Sequence, residues 1–194
     1  MVEHKDYYAL EAKINRMIDE LQGLCSQNGL SNTAAEEAVV TSVFLYKFLS
    51  DKYTYNLNKF AEKIGESVEE VVLNKKSELD AFYHFHPTDV VFHNIDTIQS
   101  LVNKTAQPGF AATFDDTLER ISNYPENDKF KVSTASGEKE PLFSRITENI
   151  IDKNKRDAFA VAIFGIISES RFDFGEAFDG HFDFYSTIFE YLIK

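Results

Sequence analysis

VVTSVFLYKFLSDKYTYN, residues 39–56, is the stretch whose reading decides the fold. Val39, Val40, Val43, Phe44, Leu45, Phe48 and Leu49 place apolar side chains nearly all round a 3.6-residue period. A helix without a polar face belongs at the centre of a core. Lys47 interrupts the run and needs either water at its tip or a carboxylate partner. Ser50, Asp51, Lys52 and the residues to Asn56 are expected to end the helix and bring the chain to the surface. Upstream, Ser31 is a candidate N-cap, and Glu36 and Glu37 suit the positive end of the helix dipole.

Residues 6–28 predict a preceding helix with a regular stripe. Leu10, Ile14, Met17, Leu21 and Leu24 follow one another in steps of four, three, four and three, an a/d heptad seam. Two readings are open for it. One is an ordinary amphipathic helix turned to its own core; the other is a partner-helix seam, because so narrow a stripe is typical of coiled-coil contact. Asn28 and Gly29 supply a stop.

Downstream, helices are predicted over 57–64 and 68–85, Ser67 and Glu70 having capping-box spacing and Pro87 ending the run. Two shorter helices, 88–105 and 110–122, flank the turn signal Gln107-Pro108-Gly109. PENDKFKVSTASGEKEP, 125–141, reads as a flexible exposed loop with one short β-hairpin around 128–135. Helices are predicted again over 142–151, 156–168 and 184–193. The fold class expected is all-α, an irregular multi-helix bundle. Residues 1–170 are expected to form its helical N-terminal domain, and 171–194 the start of a linker helix.

Composition narrows the function. The chain has 194 residues, 43% hydrophobic and 27% charged, with 32 acids against 20 Lys and Arg, for a net charge of −12. Such acidity argues against a module whose main task is to grip phosphates. No run approaches the ~18 to 20 apolar residues of a membrane span, and no signal-peptide core opens the chain. A single cysteine, Cys25, excludes a disulfide framework and suits a cytoplasmic setting. The eight glycines are never one residue apart, so there is no GxG, GxGxxG or P-loop; HExxH, CxxC and GxSxG are missing too.

Scattered side chains give weaker candidates. His84, His86 and His93 stand in an H-x-H-x6-H pattern that can supply three zinc ligands. Near a helix end, however, positions i and i+2 point apart. Asp173, Glu176, Asp179 and Asp183 match no EF-hand loop and read as solvated turns. Cys25 has no histidine near it in sequence to activate it. Lys153, Lys155 and Arg156 form a small basic knot, one of few places where a phosphate can be met. The expected catalytic, cofactor-binding and metal residues are therefore none.

The segment Phe44, Leu45, Lys47, Phe48, Leu49, Ser50 and Asp51 resembles the F-L-K-Y-L-S-D-x-F stretch in the N-terminal helical domain of type I restriction–modification methyltransferase subunits. The far end is similar as well: Asp183-Phe184 and then Ile188-Phe189-Glu190-Tyr191-Leu192-Ile193 resemble the segment that precedes that family's catalytic domain. The resemblance implies a parent protein that methylates adenine in DNA using S-adenosylmethionine. The family's donor-binding loop and Asn-Pro-Pro-aromatic motif are absent from this chain. It further implies assembly with a specificity subunit, a second modification subunit and a restriction subunit, and contact with DNA through the assembled complex. Two other readings stand beside it: a small metal-binding helical protein using His84, His86 and His93, and a free-standing acidic adaptor.

Overall fold

The computed structural model describes residues 3–83, 90–133, 137, 139–168, 173–175 and 178. Helix α1 spans Glu3–Gln27 and ends as the sequence predicts. The Asn28 side-chain amide donates to the Leu24 carbonyl, Gly29 takes a positive φ of 79°, and Leu30 N–H returns to Cys25 O.

Helix α2, Ala34–Ile64, is the organising element and corrects two expectations. Its N-cap is Thr33, whose hydroxyl accepts from Glu36 N–H at 3.1 Å. Ser31 instead bonds Ser26. The helix also runs straight through Ser-Asp-Lys-Tyr-Thr-Tyr-Asn and absorbs the separate helix predicted over 57–64. No Gly or Pro interrupts 34–64, and the inward stripe continues at three- and four-residue steps through Tyr46, Ser50, Tyr53, Leu57 and Phe60, all buried. The two polar residues that look like an exit face the core. Gly65, at φ 72°, closes the helix with its N–H on Ala61 and Glu62 carbonyls.

The single helix predicted over 68–85 is two, α3 (Val68–Asn74) and α4 (Lys76–Tyr83), with Ser67 capping the first as expected. Val71 and Leu79 are both buried. Eight positions apart, they would diverge by about 80° on one straight helix; the break at Lys75 lets each face α2.

The helix predicted over 88–105 shrinks to a 3-10 turn at Asn94–Asp96 and α5, Ile98–Val102, after an extended approach. α6, Phe110–Ser122, starts directly after the Pro108-Gly109 turn, as read. A 3-10 turn, Pro125–Phe130, leads to a small antiparallel hairpin of β1 (Val132–Ser133) and β2 (Lys139–Glu140). Val132 is registered with Glu140, so the hairpin lies a few residues beyond the expected 128–135. The helix predicted over 142–151 is instead a 3-10 turn, Ile146–Asn149, held by Asp115, whose carboxylate accepts from Thr147 N–H and hydroxyl. α7, Arg156–Ile167, is the apolar helix expected.

The fold is thus all-α apart from that hairpin, and α1, α2, α6 and α7 enclose the core. Tyr46 stands at its middle with its ring against Phe92, Phe114 and Phe164. The α1 stripe faces this same core, which corrects the partner-seam reading. Ile14, Met17 and Leu21 are buried, and Leu10 and Leu24 are half-buried against them. Ile18 and Cys25 are buried too, widening the stripe from a coiled-coil seam into the face of a globular helix.

Candidate functional site

Polar groups inside an apolar core must find partners, because an unpaired one costs about 1–3 kcal/mol. The segment Tyr46–Asp51 puts four such groups into the core, and each is tied to a distant part of the chain or to its neighbour. The Tyr46 hydroxyl donates to the Asp96 carbonyl at 2.7 Å. Ser50 Oγ accepts from Ile98 N–H at 3.0 Å, capping the start of α5. Lys47 Nζ donates to Asp51 Oδ1 at 2.8 Å, both side chains being sealed from solvent at 0% and 1% exposure. Asp51 Oδ2 accepts from Phe174 N–H at 2.9 Å. Phe44, Phe48 and Asp51 together therefore form a seat for Phe174, whose ring meets those of Phe44 and Phe48 edge-on at 5.5 and 6.0 Å. Phe178 continues the contact onto Phe48 and Tyr55.

Burial pushes the Asp51 carboxyl up to about 7, against the lowering pull of Lys47 and of its own hydrogen bonds. Burial, followed by Asp96, also drives the Tyr46 phenol well above its ordinary range.

A second cluster lies one layer out. Asp96 is fully buried and accepts from Arg120 Nε and Nη2, from the Tyr124 hydroxyl at 2.7 Å and from His93 N–H. His93 packs edge-on against Tyr124 at 4.6 Å, and burial, then Lys76, lowers its pKa. Asn127 completes this layer. It exchanges bonds with both backbone groups of Val91 and donates to Ile121 O, which pins the extended approach to α5.

The other candidates are only partly described. His84 and His86 lie outside the described residues, as do Glu176, Asp179 and Asp183. The His93 ring packs on Tyr124, and its backbone N–H donates to Asp96. Among the described residues no three His, Cys, Asp or Glu side chains gather as a metal set. Asp173 accepts from Gly175 N–H in a local turn. Cys25 is buried, and burial, then Glu36, pushes its thiol up to about 11, so it is not a thiolate near neutral pH. Lys153 and Lys155 are exposed on the loop before α7. No helix of the described residues is long and apolar enough to cross a membrane.

Asp96, Arg120, Tyr124, Asn127, Asp115 and Thr147 carry no sequence signal. Each is a common polar residue in a loop or on an amphipathic helix, and its role comes from partners 24 to 36 positions away. The arrangement braces a fold; its charges and hydroxyls are committed to backbone groups and to one another. Comparison with known protein families, curated proteins and solved structures finds no match.

Proposed function

We propose that this chain is the helical, non-catalytic assembly domain of a type I restriction–modification methyltransferase subunit. The observation that carries this reading is the position of Phe44–Asp51. The stretch that resembles the family is the packing centre of the fold, and its polar side chains brace three other segments instead of facing a substrate. The parent's methyl donor, S-adenosylmethionine, supplies the transferable methyl when bound elsewhere in the parent. The described residues do not fit it. The positive-φ glycines, Gly29, Gly65, Gly109 and Gly137, stand singly at helix ends and turns, so no paired-glycine loop lets backbone approach a nucleoside. On this reading the partners are the specificity subunit, a second modification subunit and the restriction subunit, in the cytoplasm, with DNA met through the complex.

The test is to co-express the full-length protein with a specificity subunit encoded beside it and to measure the mass of the purified species. A stoichiometric complex that methylates adenine in duplex DNA is the expected result. Absence of any complex, or methylation by residues 1–194 alone, would overturn the proposal.

A further inference from the structure

Ile151 is 95% exposed, while its neighbour Ile150 is buried in the core. The loop that presents it is built, not slack. Ile150 N–H bonds Thr147 O, and Ile150 O accepts from Arg156 Nε at 2.9 Å. Arg156 Nη2 reaches the Glu148 carbonyl. On the far side, the Asp152 carboxylate accepts from Asn154 N–H, and Asp152 O accepts from Lys155 N–H. A branched aliphatic side chain is thus held out in water between two pinned residues, so little ordering entropy remains to be lost when something covers it.

Its surroundings are cationic within a chain of net charge −12. Among the described residues Lys153 and Lys155 make no ion pair, and Arg156 spends its guanidinium on carbonyls. Three acids lie nearby: Asp152 is turned to Asn154 N–H, Asp157 to Gly109 and Ala111 N–H, both at 2.8 Å, and Glu148 to the Arg145 guanidinium. We infer that the Ile151 loop is a docking knob for a protein partner that offers an apolar pocket rimmed by carboxylates. Charge complementarity selects the rim and Ile151 selects the pocket. A nucleic-acid backbone satisfies the lysines and leaves the isoleucine in water, which favours protein.

This inference rests on the assembly reading and names its contact surface. The test uses the full-length protein and the subunits it assembles with, comparing wild type, Ile151→Asp, Lys153→Glu/Lys155→Glu, and Leu73→Asp as a control at an exposed site on α3. Circular dichroism and melting temperature should be unchanged in all of them, since every position is exposed. Ile151→Asp is expected to weaken subunit affinity at least tenfold. The double charge reversal should slow association and flatten its salt dependence, and Leu73→Asp should leave both alone. Wild-type assembly with undiminished affinity of Ile151→Asp overturns the knob and leaves the assembly reading standing; failure of wild type to assemble overturns both. Loss of duplex-DNA binding by the double variant with subunit affinity intact would assign the loop to nucleic acid and refute the inference.

Discussion

Replacing Lys47 by Met tests the central brace directly. At 2.8 Å and an effective dielectric of about 20, the Lys47–Asp51 attraction is on the order of 6 kcal/mol. Desolvating the two ions costs a similar amount, so the intact pair adds little net stability. Removing one partner leaves a buried carboxylate, and that costs about 3–5 kcal/mol. Lys47→Met should therefore lose about that much at pH 8 in urea denaturation followed at 222 nm. Lys47→Met/Asp51→Asn keeps an acceptor for Phe174 N–H and should recover at least about 2 kcal/mol of the loss. The pH dependence has a definite sign. Asp51 rises from 3.8 to about 7 on folding, so the native state holds a proton that the unfolded chain has released. The Asp51 contribution to stability accordingly falls as pH rises from about 4 to about 7, by at most about 4 kcal/mol, and is flat above that. Asp51→Asn should remove that part of the slope. A Lys47→Met loss under about 1 kcal/mol, or a double variant no better than the sum of the singles, would refute the reasoning.

Two further substitutions separate the internal roles assigned above. Leu21→Asp puts a carboxylate at a position with 0% exposure, and the isolated chain should lose its cooperative thermal transition with no partner present; wild-type melting of that variant would return α1 to the role of an open seam. Asn127→Ala deletes three buried hydrogen bonds and leaves Val91 N–H without its acceptor, for an expected loss of about 2–4 kcal/mol in chemical denaturation, with a loss under about 0.5 kcal/mol arguing against the pin.

What could be read in advance was whatever local chemistry controls. Pro108-Gly109 fixes the start of α6, Asn28-Gly29 the end of α1, and Ser67 the start of α3, because turn and cap geometry is decided within a few residues. The apolar excess of 39–49 likewise places α2 in the core. The misreadings share one cause. Ser50 and Asp51 resemble a helix exit until Ile98 and Phe174, 48 and 123 positions away, are found to use them. Residues 88–105 and 142–151 carry enough apolar side chains for helices. Outside α5 the described parts take extended and 3-10 backbone, where Asn127 accepts from Val91 N–H and Asp115 from Thr147 N–H. The α1 stripe was legible as a stripe, but which surface it meets is not a property of one helix. For the candidate site, the residues of Phe44–Asp51 stood out in the sequence, whereas their bracing roles, and the whole Asp96 layer, exist only through long-range partners.

α2 has 31 residues and so measures about 46 Å from end to end. Side-chain ties to α5, to the turn at Asp96 and to Phe174 attach between Tyr46 and Asp51, near its midpoint, and Tyr53 adds a bond to the Asn94 backbone. Phe174 is thus moored to the middle of the long helix, so a load applied there is taken up at the centre of the core and not at its rim.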